Sequence, residues 1–233
     1  MGGLFSKKRT YWVPANKQLQ NKVSLDPVAY KEREDFTGWQ IQNDPTLQKL
    51  TQKFILCETL LELNLSFNGL GDDECAYLGQ LIQQSKSLKR LILINNFIHA
   101  EGAQKLANGL NPTGGQDPIL QELNLRNNDC GPEGAIALAN KLSTNMNLRK
   151  LNLYWNNIRN KGLEAICANL RPGLGVSYVV VRRTHFPLLA PVHSHCEHRD
   201  SCESEVGCIA HAAKSIPALL AACPSLAPVL RTV

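Results

Sequence analysis

The sequence of 233 residues has no apolar stretch of the length that crosses a bilayer as a helix, about 18–20 residues. The nearest run, residues 216–230, is broken by three prolines. The start of the chain also lacks the apolar segment of a secretory signal. We therefore expect no transmembrane helix and a reducing compartment, in which the eight cysteines are thiols.

Familiar catalytic motifs are absent as well: there is no P-loop, no G-x-G-x-x-G, no H-E-x-x-H and no G-x-S-x-G. His99 is the only histidine before residue 185 and is expected on the surface. The acids Asp72, Asp73 and Glu74 lie near a predicted helix start, where the helix dipole favours negative charge. These features favour a protein that is not an enzyme and that holds no cofactor or metal.

Positive charge is concentrated at one end. The formal net charge is +5, and residues 1–33 hold seven Lys or Arg and two acids, whereas residues 34–233 hold 18 of each sign. A nucleic-acid-binding domain would carry its basic surface on the folded body. The distribution argues against a nucleic-acid partner and indicates a basic arm that acts on a membrane or a protein.

The first residues match the N-myristoylation pattern, with Gly2 as the acceptor and Ser6 in the favoured place. Lys7, Lys8 and Arg9 follow directly. One myristoyl chain binds a bilayer only marginally, at roughly 10⁴ M⁻¹, and each basic residue near an anionic leaflet adds about 1 kcal/mol. We expect a two-part anchor on the cytoplasmic leaflet of a membrane. A chance match in a solvated basic leader is the alternative.

Four segments in the middle of the chain repeat the pattern L-x-x-L-x-L-x-x-N. They begin at Leu60, Leu88, Leu120 and Leu148, so their spacings are 28, 32 and 28 residues. The longer second unit contains a turn-rich segment at 112–118, where an insertion is tolerated. Alternating leucines predict strands with one buried face, and apolar residues four apart after each asparagine predict a helix.

This motif resembles the leucine-rich repeat family, in the ribonuclease-inhibitor-like type shared with NOD-like receptors and the Ran GTPase activator. The resemblance covers about residues 45–186 and implies an α/β fold. That fold is a short right-handed solenoid with parallel strands on its concave side and helices on its convex side. The family's ladder of buried asparagines corresponds to Asn68, Asn96, Asn128 and Asn156. Small residues at two helix positions make Cys75, Cys130 and Cys167 core residues.

These observations divide the chain. We expect an irregular basic arm at 1–43, an atypical cap helix at 44–59 with Asp44 as N-cap, four repeats within 60–170 (about 60–87, 88–119, 120–147 and 148–175), the strand of a degenerate fifth repeat at 176–186, and a largely disordered tail at 187–233. Whether Tyr11, Trp12, Phe36 and Trp39 pack on the cap is left open.

The composition changes after residue 170, since the rest of the chain has no Asn and no Gln. The segment 175–177 is what a splice donor encodes when it is read through in frame, which suggests a translated intron. The solenoid would then lack its C-terminal cap and would tend to self-associate. The tail also carries zinc-ligand residue types, but their spacing fits no usual zinc knuckle and we expect no metal there. These histidines and cysteines of the tail are His193, His195, Cys196, His198, Cys202, Cys208 and His211.

The third, fifth, seventh and eighth motif positions point away from the predicted core and are expected to form a partner-binding concave face. Aromatic and arginine side chains are the usual hot-spot types. The alternative is that Tyr154 and Trp155 only cover one end of a short solenoid. The positions hold Glu62, Asn64, Ser66, Phe67, Arg90, Ile92, Ile94, Asn95, Glu122, Asn124, Arg126, Asn127, Lys150, Asn152, Tyr154 and Trp155.

The sequence therefore predicts a non-catalytic protein–protein interaction module, a scaffold or adaptor, tethered to the cytoplasmic face of a membrane. Its partners would be an unidentified protein on the concave face and an anionic membrane surface at the N-terminus. One alternative is a regulator of a small GTPase, which rests on family likeness alone. Another is a truncated splice product with little function.

Overall fold

The computed structural model describes residues 30–42, 45–111, 118–169 and 178–180. Short strands alternate with helices along these residues. The strands are β1 (Arg33–Asp35), β2 (Glu62–Asn64), β3 (Arg90–Ile92), β4 (Glu122–Asn124), β5 (Lys150–Asn152) and β6 (Tyr178–Val180). The helices are α1 (Pro45–Leu56), α2 (Glu74–Gln84), α3 (Ala100–Gly109), α4 (Gly131–Leu142) and α5 (Arg159–Asn169). Over these ranges, no helix combines the length and apolar character that crossing a membrane requires.

The strands form a single parallel sheet in sequence order, from β1 to β6. Their register is constant, so that the middle residues stand side by side across the sheet: Glu34, Leu63, Leu91, Leu123, Leu151 and Val179. Helices that follow one another also pack against one another, from α1 to α5. The predicted α/β repeat solenoid is therefore confirmed.

Leucines of the repeated motif fill the core of this solenoid. The middle leucines of β2 to β5 have no exposed surface, and burying one leucine completely stabilises a fold by about 1.5–3 kcal/mol. Cys75 and Cys130 are buried in the same core, and burial raises the pKa of both thiols. Both cysteines are therefore neutral packing residues. The side chain of Cys167 lies outside the described residues.

The ladder asparagines connect each repeat to the one before it. The side-chain oxygen of Asn96 accepts the backbone N–H groups of Asn68 and Leu70, at 3.0 and 3.1 Å. Its amide nitrogen donates to the carbonyls of Leu65 and Leu93, at 3.1 and 3.0 Å. Asn128 and Asn156 make corresponding bonds. A buried amide of this kind satisfies backbone groups that the turns leave without partners.

A strand that the sequence analysis did not predict opens the sheet. β1 pairs with β2. Phe36 and Ile41 are fully buried, and each precedes a repeat leucine, Leu65 and Leu70 respectively, by the same number of residues. The expectation of an irregular arm up to residue 43 is thus corrected for residues 30–42, which contain a strand that extends the sheet on the N-terminal side of the repeats. Aromatic packing replaces leucine packing here. Phe36 contacts Trp39 and Phe54 edge-to-face, at 5.0 and 5.9 Å between ring centroids.

Tyr30 is buried in the core next to β1. Its ring meets Phe54 edge-to-face at 4.9 Å, and burial raises the pKa of its phenol to about 12. The Thr59 hydroxyl donates to the Tyr30 carbonyl at 3.0 Å and joins the segment to the start of the first repeat. Residues 1–29 and the predicted N-cap Asp44 lie outside the described residues.

At the other end, β6 lies inside the segment 176–186, where a fifth strand was predicted. Val179 packs partly buried against the core. The remainder of that segment and the tail, with its cysteines and histidines, lie outside the described residues, as does any structure that would cap β6.

Two acids near the start of α2 serve different helices. Glu74 accepts the Gly71 N–H at 2.9 Å, next to its own helix. Asp72 accepts the N–H groups of His99 and Gly102, at 2.8 and 2.9 Å, and so satisfies the first turn of α3 in the following repeat. The predicted role of this acidic run at a helix start therefore extends to the next repeat. The His99 side chain is mostly exposed, as predicted.

Helices α2 and α3 meet backbone to backbone at two glycines. A Cβ atom added to Gly109 would lie 2.8 Å from the Gly79 Cα. One added to Gly79 would lie 2.6 Å from the Lys105 carbonyl oxygen. Both distances are well inside van der Waals contact, so this helix spacing requires residues without side chains.

Candidate functional site

The side of the sheet away from the helices, here called the open face, corresponds to the concave side that the resemblance implies. Its first row has alternating charge: Arg33, Glu62, Arg90, Glu122 and Lys150 stand in register on consecutive strands. Glu62 pairs with Arg90 and lies 3.9 Å from Arg33, and Glu122 lies 3.4 Å from Lys150. Such surface pairs contribute about 0–1 kcal/mol each. The row therefore mainly neutralises its own charge.

Asparagines at the ends of the strands hold the turns that follow. The side-chain oxygen of Asn124 accepts the Arg126 N–H at 3.1 Å, and that of Asn152 accepts the Tyr154 N–H at 3.0 Å. Asn64 makes the same bond in the first repeat. These are Asx turns, in which the side chain fixes the backbone two residues on. These asparagines were predicted as partner contacts, and the structure gives them this role in positioning the turns.

Ser66 differs from its expected position. It was assigned to the outward-pointing set, but only 3% of its surface is exposed. Its hydroxyl donates to the Asn64 side-chain oxygen at 2.6 Å, and this short side chain is covered by its surroundings. Ile92, the last residue of β3, and Ile94, two residues later, are half-buried and form the apolar middle of the open face.

Near the C-terminal end of the open face, Arg126, Tyr154 and Trp155 form what we call the aromatic cluster. The two rings stack, with centroids 5.4 Å apart and an interplanar angle of 29°. The Arg126 guanidinium carbon lies 5.0 Å from the Tyr154 centroid and 5.9 Å from the Trp155 centroid. At an exposed site each such cation–π contact contributes about 0.5–1 kcal/mol. The cluster is held together and still reaches solvent.

Trp155 is attached at a left-handed backbone position. Its φ is 56°, and the corresponding residues Phe67, Asn95 and Asn127 have φ values of 58°, 57° and 56°. Gly and Asn adopt this conformation readily, whereas other residues lose roughly 1–2 kcal/mol. Asn95 and Asn127 hydrogen-bond to each other through their side chains. Trp155, in contrast, is a bulky residue with 46% of its surface exposed.

Neither burial nor backbone preference thus explains a tryptophan at this position. Exposed residues in sparsely populated conformations are typical of functional sites. Phe67 shares the geometry and is 55% exposed, but Asn95 and Asn127 lie between it and the cluster. The structure therefore brings together three of the predicted partner-binding residues and places Phe67 at the far end of the same row.

Phe97 follows a ladder asparagine, is 64% exposed and was not among the predicted site residues. It borders a shallow groove of about 310 Å³ together with His99, Asn127 and Asp129. Phe97 lies between Asn96 and Ile98, outside strand β3, so the repeat motif alone does not predict that it is exposed. In the described ranges, no three side chains of His, Cys, Asp or Glu come together as a metal site would require. The lipidation residues at 2–9 lie outside these ranges.

A family model described as "Leucine Rich repeat" matches residues 56–73, 116–139 and 144–167. NACHT, LRR and PYD domains-containing protein 13 of Homo sapiens is 35% identical over 113 residues, which are 48% of this chain and 10% of that protein. Protein NLRC5 of Homo sapiens is 39% identical over 94 residues, 40% of this chain and 5% of that protein. Ribonuclease inhibitor of Mus musculus is 31% identical over 124 residues, 50% of this chain and 26% of that protein.

The chain thus spans about a quarter or less of the length of each of these relatives. The matches agree in one respect, since each relative shares the same kind of repeat over a limited stretch.

Proposed function

We propose that this solenoid, which matches a leucine-rich repeat model over residues 56–73, 116–139 and 144–167 and is similar to ribonuclease inhibitor, is a protein-binding module. Its partner docks on the open face at the aromatic cluster. The observation that carries this proposal is the exposed tryptophan of that cluster, stacked on Tyr154 and held at a left-handed backbone position.

The physical basis is the way a few side chains supply most of the energy of an interface. Trp, Tyr and Arg are the residue types most enriched among such hot spots, and the cluster contains one of each. Because the rings are already stacked and Arg126 already lies over them, a partner would not need to order these side chains on binding. Ordering a mobile side chain at an interface costs about 0.5–1.5 kcal/mol, which a preformed cluster avoids.

Replacing Trp155 by asparagine is expected to abolish most partner binding while the fold is kept. Loss of a hot-spot side chain costs about 2 kcal/mol or more, which lowers the affinity about 30-fold. Since Asn occupies the same backbone position in two other repeats, the free energy of unfolding should stay within about 1 kcal/mol. Quantitative affinity purification from cells, followed by titration with the recovered partner, measures the first effect. Chemical denaturation measures the second.

The matched control is Phe67→Asn. It makes the same kind of change at the same left-handed position, but at the other end of the row. Partner recovery should remain near the wild-type level in this variant. Equal loss of recovery from both variants, or no loss from Trp155→Asn, would contradict the assignment of the partner to the aromatic cluster.

We also propose that Gly2 is acylated in cells and that the arm tethers the module to an anionic cytoplasmic membrane surface. The support is the pattern Met-Gly-x-x-x-Ser followed by Lys7, Lys8 and Arg9. Residues 34–170 hold 12 basic and 14 acidic residues, so the repeats themselves would contribute little attraction to such a surface. A tether of this kind raises the local concentration of the module near a membrane-bound partner.

Metabolic labelling with a myristate analogue tests the tether. We expect label on the wild-type chain, none on Gly2→Ala, and a shift of that variant from the membrane fraction to the soluble fraction. Gly3→Ala is the control, because it changes the neighbouring glycine and leaves the acceptor in place. An unlabelled wild-type chain, or equal label on Gly2→Ala, would overturn the proposal.

A further inference from the structure

We infer that the partner of the aromatic cluster presents a carboxylate to Arg126, beside an apolar side chain that packs on Trp155. The inference rests on the proposed function and adds to it the chemistry of the ligand: an acidic and apolar segment of a protein.

The charged residues of the open face differ in whether they have an ion-pair partner. Arg33 and Arg90 lie within ion-pair distance of Glu62, and Lys150 pairs with Glu122. In the part of the chain that the structure describes, no carboxylate oxygen lies within 4 Å of the Arg126 guanidinium. Arg126 is exposed. The one cation of the described open face that has no carboxylate partner is therefore the one in the aromatic cluster.

Arg126 is held in position by Asn124 and by the two aromatic rings. The Asn124 side chain fixes the backbone of Arg126, and the two rings hold its guanidinium at 5.0 and 5.9 Å. Attraction to a ring face leaves the N–H donors of the guanidinium available. Their fork geometry matches the two oxygens of a carboxylate, which accept two parallel hydrogen bonds. Because the group is placed in advance, the pairing loses less side-chain entropy than at an unsupported arginine.

The positive charge at the site favours a carboxylate over a phosphate. A phosphoserine or phosphothreonine carries about −1.5 to −2 charges and binds best at clusters of arginines. Among the described residues the cluster offers one arginine, and the neighbouring cations Arg90 and Lys150 are already paired with Glu62 and Glu122. A single negative charge therefore matches the site better. The exposed Trp155 ring beside it provides the surface for an apolar neighbour.

A random peptide library selected on the purified full-length chain tests the inference without knowledge of the natural partner. Wild type is expected to enrich peptides with Asp or Glu next to an aromatic or aliphatic residue. For a selected peptide, changing its Glu to Gln should lower the affinity about 10- to 100-fold, as expected for a hydrogen bond to a charged group. In Arg126→Gln the Glu and Gln peptides should bind equally. Arg126→Glu should instead enrich peptides with Lys or Arg.

Arg90→Gln is the matched control, since Arg90 lies on the same face but is already paired with Glu62. It should keep the preference for Glu over Gln. Thermal unfolding of each variant, followed by circular dichroism, checks that the fold is retained.

The outcomes separate this inference from the proposed function. Binding that depends on Trp155 but is equal for Glu and Gln peptides would overturn the inference and leave the proposed function standing. Tighter binding of a phosphoserine version would replace the carboxylate by a phosphate and also overturn it. Selected peptides that bind Trp155→Asn as well as wild type would contradict both. If no peptide is enriched, or if the enriched sequences match the acidic segment 197–205 of this chain, the inference of an acidic partner segment is wrong.

Discussion

Replacing Asn96 by alanine is expected to lower the free energy of unfolding by about 3 kcal/mol or more, because each buried group left without a partner costs about 1–3 kcal/mol. The substitution leaves the N–H groups of Asn68 and Leu70 without their acceptor and the Leu65 carbonyl without the Asn96 donor. The other two carbonyls that accept from Asn96 keep a second donor, from Asn128 and from the Phe67 N–H. Typical domain stabilities are about 5–15 kcal/mol, so this is a substantial part of the total. Urea denaturation followed by circular dichroism measures it.

Asn68→Ala provides the internal comparison. The Asn68 amide nitrogen donates to the carbonyls of Phe36 and Ser66, but its side-chain oxygen has no partner among the described residues. Removing it leaves no N–H group unsatisfied there. Both carbonyls also keep a backbone donor, the Trp39 and Gly38 N–H groups, so we expect less than half the destabilisation seen for Asn96→Ala. If both variants lose the same stability, the bonds accepted by the ladder oxygens contribute nothing and this explanation of the ladder is wrong.

Gly109→Ala is expected to destabilise the protein by about 2 kcal/mol net, because overpacking at this contact costs about 3 kcal/mol, near the upper end of its usual range. The added methyl group would lie 2.8 Å from the Gly79 Cα, and backbone atoms cannot move aside as a side chain can. Helices α2 and α3 would have to separate. This cost is set against a gain of about 1 kcal/mol that alanine normally gives over glycine in a helix. The same denaturation experiment measures the net effect.

Gly71→Ala is the control with space for the methyl group. Its nearest neighbour would be a carboxylate oxygen of Glu74 at 3.5 Å, an ordinary contact. The free energy of unfolding should change by no more than about 0.5 kcal/mol. A Gly109→Ala protein as stable as the wild type would show that the helices do not depend on the close approach at this point.

Much of the fold could be predicted because each repeat carries the same leucines at the same spacing. The register of β2 to β5 follows directly from Leu63, Leu91, Leu123 and Leu151, which the structure places side by side. β1 was missed because it has Glu34 where the repeats have leucine. Its strand conformation comes from pairing with β2. The sequence did indicate this strand in one way, because Phe36 and Ile41 precede Leu65 and Leu70 by the same number of residues.

The site was less predictable, since the motif shows which side chains point outward but not which of them touch. Trp155 and Phe67 hold equivalent positions, yet the structure brings only Trp155 next to Arg126. That contact depends on side-chain directions in neighbouring repeats, which no spacing rule contains. The burial of Ser66 likewise depends on a hydrogen bond to Asn64. The Asx turns, in contrast, were visible as asparagines two residues before the cluster positions.

The constant register of the sheet has a mechanical consequence. Each unit is joined mainly to its neighbours, so a pull along the long axis would strain the hydrogen bonds between adjacent strands in line with the force. Units would then detach from an end one after another, at low load, and the extension would rise in steps. A partner bound across several strands of the open face would hold those repeats together and resist their separation. The force at which the first of them opens would therefore report how many repeats the partner covers.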